Sequence, residues 1–428
     1  MPFINPRWTN LEKIAFRFFF IFICLNIFPF PLNAVSQSLA FLQPITGIVD
    51  TLWEQFIPWA AQHIWGYRKV ISIFPNGSGD TTFNYYQILT QFSMALVGTL
   101  IWSMVDKERK SYNRAYYLLR WFTRFFLAFN MVLYGFIKVF HMQMPTPSLY
   151  TLLQPVGDKS PMGLAWTYVG ASAAFSAVTG WAEVISGFLL FFRRTTTLGA
   201  LLTSIVMFNV AVINFCFDVP VKIFSSLLFL WAMFLLAPDI KRLTAVLLTN
   251  RPTRPKVEVP FFKSRKAQLL ALVAQLLFVA YIVISQVSAD MGMMNIYGDK
   301  APKPPLYGIY NTSLIVRNND TLKPLTTDTS YWRQLVVNYK GYARVKMAND
   351  TLRYYTFKVD TALQRITIAT GFAPNDSSYL YFSNDSTLTL RGKIQQDSVY
   401  MQFTKHDLNS FRLLNRGFHW VNEYPYNR

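Results

Sequence analysis

Acidic residues are few in this chain: 22 Asp and Glu stand against 41 Lys and Arg, and all charged residues together make up only 15% of it. A soluble domain carries about a quarter. With 52% of its residues hydrophobic and 17% aromatic, the chain is too apolar for an ordinary soluble protein. Cysteine is scarcer still. Cys24 and Cys216 lie inside apolar runs with no CxxC or histidine-rich context, so neither a structural disulfide nor a zinc site is expected; both read as buried, inert thiols. Four scattered histidines, His63, His141, His406 and His419, do not make a metal site, and none is expected. No Walker loop is present and no GxGxxG opens a helix, while the glycines of Asn76-Gly-Ser-Gly79 fall in a turn-rich external loop. The net charge of +19 does not point to nucleic acid, because the basic residues sit in short runs between apolar segments. That is the orientation signature of cytoplasmic loops.

What is abundant is spanning sequence. Apolar runs occupy Ile14–Phe30, Tyr86–Val105, Tyr116–Phe140, Leu164–Phe192, Thr197–Phe217, Val219–Leu236 and Ala267–Val287. A spanning helix needs about 20 such residues. Basic residues concentrate in alternate linkers: Lys107 to Arg114, Arg193 with Arg194, and Lys241 to Lys266. Seven spans with a cytoplasmic N-terminus fit every linker and put the C-terminal region in the periplasm of a bacterial inner membrane. Between the first two spans, Thr51-Leu-Trp-Glu54 has the form of a capping box, and an amphipathic helix lying on the membrane surface is expected to follow it, bent at Pro58.

From about Asn295 the pattern changes to short alternating runs punctuated by Asn, Asp, Thr and Gly. They are Tyr307–Val316, Tyr331–Asn338, Tyr342–Met347, Leu352–Val359, Arg365–Ala369, Tyr379–Phe382, Ser386–Arg391, Ser398–Phe403 and Ser410–Leu414. Such spacing predicts an all-β domain, an up-and-down, lipocalin-like barrel or a sandwich. The expected organisation is a helical membrane domain over 1–290, a Pro-rich linker over 291–305 containing Ala301-Pro-Lys-Pro-Pro305, and a β domain over 306–428.

Charged groups at membrane depth cost roughly 2.5–3.5 kcal/mol each on insertion scales, so they mark pairs or cavities. Arg120, Arg124, Asn130, Lys138 and His141 lie along the third span and its outer end. Counting inward from Leu164 places Glu183 deep in the fourth span, as a structural ion-pair partner for Arg124 or Arg120. At the outer boundary, Asn214, Asp218 and Lys222 flank the turn between the fifth and sixth spans, level with Lys138 and His141. These five are the candidate ligand-binding residues; the alternative for the lysines is snorkelling to the headgroups. Asn130 and Lys138 are spaced as Asn214 and Lys222 are, a faint internal echo.

Arg120 and Arg124, then Tyr134-Gly-Phe-Ile-Lys138, then Glu183-Val-Ile-Ser-Gly-Phe-Leu-Leu190 before Arg193-Arg194, resemble the DoxX family of integral membrane proteins. The resemblance covers a core of about 116–240. The extra spans before it and the β-rich tail, which ends in Arg416-Gly-Phe-His-Trp-Val-Asn-Glu-Tyr-Pro-Tyr-Asn-Arg428, resemble the long DoxX-like form of Bacteroidetes-type bacteria. Founding members of that family are associated with thiosulfate:quinone oxidoreduction, and distant relatives include vitamin K-dependent membrane carboxylases. The resemblance thus implies quinone-linked chemistry, with a bound quinone as the cofactor or ligand, although the chain carries no haem, flavin or metal motif.

Three function classes follow. The chain is a quinone- or lipid-interacting component of a redox system whose β domain binds a protein partner or ligand, a non-catalytic membrane scaffold, or a small-molecule transporter. The residues leave open whether it is an enzyme.

Overall fold

The computed structural model describes residues 7–36, 39–73, 77–253, 262, 264–371, 377–384 and 387–427. Asn76, Ser386 and Arg428 lie outside them, as do residues 254–261 and 263 of the basic linker from Lys241 to Lys266. The chain forms two compact units, one of residues 1–143 and 174–292, the other of residues 144–173 and 293–428.

The helices are α1 (Asn10–Ile27), α2 (Leu32–Ser36), α3 (Gln43–His63), α4 (Thr82–Val105), α5 (Asn113–Val139), α6 (Leu149–Leu152) and α7 (Pro161–Gly170). There follow α8 (Ala173–Phe191), α9 (Thr196–Cys216), α10 (Lys222–Leu236), α11 (Ile240–Leu247) and α12 (Arg265–Met294). Seven helical segments among the described residues are long and apolar enough to cross a membrane: those built on α1, α4, α5, α8, α9, α10 and α12. Of these α5 is the most enclosed, with 61% of its most apolar stretch buried, whereas α12 has 11%. The bundle is packed around α5.

Local chemistry explains the ends. Thr9 and Glu12 form a capping box at the start of α1, and Thr81 with Asn84 does the same for α4. Thr51 does not start a helix: α3 begins at Gln43, and the Thr51 hydroxyl instead donates to the Gly47 carbonyl. Pro58 lies inside α3. Arg17 is buried in α1 and donates to the Tyr112 hydroxyl (2.7 Å), Ser103 Oγ (2.8 Å) and the Asp106 carbonyl (2.6 Å). It staples α1 to the ends of α4 and α5. Cys24 and Cys216 are free thiols, but they are exposed on the helix surfaces rather than buried, which in a membrane means facing lipid.

In the second unit, strands β1 (Gly308–Arg317), β2 (Asp320–Thr321), β3 (Trp332–Tyr339), β4 (Gly341–Met347), β5 (Leu352–Asp360), β6 (Arg365–Thr370), β7 (Ser378–Asn384), β8 (Leu388–Ile394) and β9 (Asp397–Lys405) make one antiparallel sheet. Strands β1 and β3 to β9 pair in sequence order, and β9 pairs back onto β1, so eight strands close a barrel and the sandwich alternative falls away. Strict alternation fills the interior. Tyr355 and Phe357 on β5, Ile366 and Ile368 on β6, Leu388 and Leu390 on β8, and Val399, Met401 and Phe403 on β9 all belong to one buried cluster. Gly341, at φ 85, makes the tight turn from β3 to β4. The run Ser410–Leu414 is not a strand. Leu408 to Ser410 is a 3-10 turn capped by Asp407, and a short helix, α13 (Arg412–Asn415), follows.

Residues 144–173 belong to the barrel's unit. Leu149 of α6 packs on Ile309 and Val336 of the barrel wall, and its N–H donates to Asn338 Oδ1 at 3.0 Å. The Arg344 guanidinium lies 4.3 Å from the centre of the Tyr150 ring. Burial pushes the Tyr150 phenol up to about 12 despite that cation.

Candidate functional site

Helices α5 and α8 approach closely where glycines face each other. A Cβ on Gly180 would stand 2.6 Å from the Gly135 carbonyl oxygen, and one on Gly135 would stand 2.6 Å from Val184 Cγ2. Small residues at such a crossing let two backbones touch, as membrane helices without a hydrophobic driving force require. Ser176 Oγ of α8 also donates to the Lys138 carbonyl of α5 at 2.9 Å.

At this crossing lies a buried ion pair. Lys138 Nζ is 2.5 Å from Glu183 Oε1, with the two side chains 9% and 2% exposed. Among the described residues, Glu183 Oε2 is buried and has no hydrogen-bond partner. Tyr134, one turn before Lys138 on α5, lies within electrostatic reach of Glu183, and its ring contacts Phe224 of α10 with centroids 5.9 Å apart.

The expected pairing of Glu183 with Arg124 or Arg120 is therefore not formed. The apolar run from Leu164 is two helices rather than one, since α7 ends at Gly170 and α8 starts at Ala173. Glu183 is thus about 15 Å along its span at 1.5 Å per residue, not nearly twice that. Arg124 Nη1 donates to Thr196 Oγ1 at 3.3 Å, and its guanidinium stands over the Phe125 ring. Arg120 Nη1 donates to the Leu235 carbonyl at 3.0 Å. Both arginines brace helix ends, α5 to the start of α9 and to the end of α10.

The outer candidates separate in a second respect. Asn214, Asp218 and Lys222 do come together. Lys222 Nζ is 2.8 Å from Asp218 Oδ1, and Asn214 Nδ2 donates to Ser225 Oγ at 3.0 Å. Lys138 does not join them, because its ammonium is held by Glu183 on another helix. His141 is buried at φ 57, and its N–H closes the end of α5 by donating to the Lys138 carbonyl at 2.9 Å.

Asp80 is the residue missed. Its two carboxylate oxygens accept from the backbone N–H of Lys222 (2.7 Å) and Ile223 (3.0 Å), and Oδ2 lies 3.9 Å from Lys222 Nζ. It supplies the negative charge that a helix N-terminus favours, here across 142 positions of sequence. The signal available was an aspartate closing a Gly-Ser-Gly turn just ahead of a span. An apolar groove of about 560 Å³ runs beside this end of α4, lined by Tyr85, Tyr86, Ile88, Leu89 and Phe92. Tyr85 is within electrostatic reach of Lys222.

Over 125 residues, 29% of its length, the chain is 32% identical to an uncharacterised protein of Bacillus subtilis (strain 168), YwoB, and the match covers 78% of that protein. No family model matches the chain. No solved structure matches it either.

Proposed function

We propose a function for a chain that belongs to the same family as the Bacillus subtilis protein YwoB: it is a DoxX-like protein of the bacterial inner membrane that binds a quinone or a lipid headgroup beside the Lys138–Glu183 pair and carries its barrel in the periplasm. The observation that carries this reading is the buried Glu183 Oε2, which lacks a partner among the described residues. A carboxylate oxygen away from water and without a donor is costly, and a ligand hydroxyl would satisfy it. Lys138 has three N–H donors, and one is directed at Glu183 Oε1. The pair therefore offers an acceptor and spare donors side by side at membrane depth. A quinone's carbonyls can accept from the Lys138 ammonium, and a hydroxyl of its reduced form can in addition donate to Glu183 Oε2; a lipid's phosphate can accept from Lys138 and a glycerol hydroxyl donate to Oε2.

The periplasmic assignment rests on the basic linkers Lys107 to Arg114 and Arg193-Arg194, which seven spans put on the cytoplasmic side. Leu149 packs on the barrel wall; three spans precede it and seven precede the barrel, so both fall on the same side.

A scaffold is the second reading, favoured by the same helix crossing. With Gly135 and Gly180 in contact, the pair also locks α5 to α8, and it can do so with no ligand. Purification in mild detergent, followed by solvent extraction and mass analysis of wild type and of Lys138→Met with Glu183→Leu, which leaves no lone buried charge, separates the two. The quinone or lipid reading expects a stoichiometric small molecule in wild type that is lost from a variant still folded. No such molecule in wild type, or equal amounts in both, would leave the scaffold reading standing.

A further inference from the structure

Beyond the barrel, residues 416–426 form a loop that is internally organised yet unpacked. The Arg416 guanidinium stands 4.1 Å from the centre of the Tyr426 ring and donates to Asn422 Oδ1 at 2.5 Å, which closes the base. Asn422 Nδ2 donates to the His419 carbonyl at 3.2 Å, and the His419 ring bonds the Gly417 carbonyl through Nδ1. Phe418 and Trp420 pack edge to face with centroids 4.9 Å apart. Inside this frame the large apolar side chains point away from the protein: Phe418 is 78% exposed, Trp420 91%, Val421 72% and Tyr424 84%. Just before the loop, Leu408 and Phe411 pack on Leu149, Ile309 and Val336, so its root is fixed to the barrel wall.

We propose that this loop is an interfacial finger, with Phe418, Trp420, Val421 and Tyr424 inserting at the headgroup–acyl boundary of the membrane that carries α12. Three observations select lipid as the occupant. Trp and Tyr combine an apolar ring with a polar tip and are the residues that favour membrane interfaces. Arg416 and Glu423 cancel, so the loop carries no net charge to seek a polyanion and relies on apolar area. The tether is short: from Met294 to Gly308 the chain spans at most about 50 Å even when fully extended. Tethering at that range makes insertion effectively intramolecular, so a weak individual affinity suffices. The inference stands apart from the quinone or lipid reading, because it concerns neither Lys138 nor Glu183.

The test uses the full chain in phosphatidylcholine nanodiscs, with Cys24→Ser and Cys216→Ser as background. An environment-sensitive dye is placed at Val421→Cys, and at Tyr381→Cys on the barrel exterior as control. The label at 421 is expected to be blue-shifted, quenched several-fold more by doxyl-phosphatidylcholine than the control, and shielded from aqueous iodide, with no loss in high salt. Adding Phe418→Ala and Trp420→Ala should return it to the control's behaviour. Equal iodide quenching at 421 and 381 without doxyl quenching would overturn the proposal. So would iodide shielding without doxyl quenching, which indicates a protein contact, or lipid quenching that survives loss of Phe418 and Trp420.

Discussion

Lys138 and Glu183 meet at 2.5 Å because their helices are antiparallel and each side chain leans toward the N-terminus of its own helix. Every Cα–Cβ bond in an α-helix tilts that way. On α5 the lean carries the ammonium back into the bundle; on α8 it carries the carboxylate outward to meet it. Gly180 lies against Lys138 Cβ, which removes the side chain that would otherwise stand between them.

The pair should behave as a unit. Removing one partner of a buried ion pair costs about 3–5 kcal/mol, whereas replacing both by apolar groups is often neutral. Lys138→Met or Glu183→Gln alone should therefore lower the melting temperature in detergent clearly more than Lys138→Met with Glu183→Leu. Additive losses would mean that the two charges are not coupled.

The helix crossing should be intolerant of a single methyl group. Gly180→Ala drives a Cβ into the Gly135 carbonyl and should destabilise by about 1–3 kcal/mol, the usual cost of overpacking. Gly47→Ala, in α3 with nothing within 4 Å, should be neutral or stabilising by up to about 1 kcal/mol. Equal thermal stabilities for the two variants would contradict the observed contact.

Acid should weaken the barrel through Asp328. The Ser330 backbone N–H, then the Ser330 hydroxyl and the Tyr331 N–H, hold its carboxyl below the ordinary carboxylate range. A group whose folded-state value is depressed adds stability above its unfolded value, about 3.9 for Asp, and loses it as the pH falls through the folded value. Chemical denaturation of wild type and Asp328→Asn should thus differ at about pH 6 and converge as the pH is lowered below about 3.9. A constant difference would assign the effect to something other than this titration.

Much of this architecture is legible in the sequence because the periods of the two units are so different. Long uninterrupted apolar runs yield the spans, and alternation in Leu352 to Val359 yields a strand with Tyr355 and Phe357 inward. Three features escape such reading. The helix break at Ala171-Ser172 lies inside a long, predominantly apolar run, so hydropathy does not show it, and the depth of Glu183 shifts with it. Gly170, and Ser172 just before the first residue of α8, are the hints at the boundary. The Asp80 cap on α10 is non-local, and a loop carboxylate carries no label for the helix it serves. Ser410 to Leu414 alternates weakly enough to look like a strand, yet the Asp407 side chain caps a turn there instead.

Topology has its own check. A cytoplasm-active reporter inserted between Lys107 and Arg114 should be active, and one fused after Asn427 should be silent. Activity at the second site would reverse the orientation drawn from the basic linkers.

The most direct test of the central claim is titration of a short-chain naphthoquinone into the purified protein in nanodiscs, for wild type, Lys138→Met with Glu183→Leu, and Arg124→Gln. The double variant avoids leaving a lone buried charge, and Arg124 contacts Thr196 rather than Glu183, so loss of fold and loss of site are separable. Saturable binding is expected in wild type, retained in Arg124→Gln and weakened at least tenfold in the double variant, about 1.4 kcal/mol. Binding that is absent from wild type, or unchanged in the double variant, would contradict the claim.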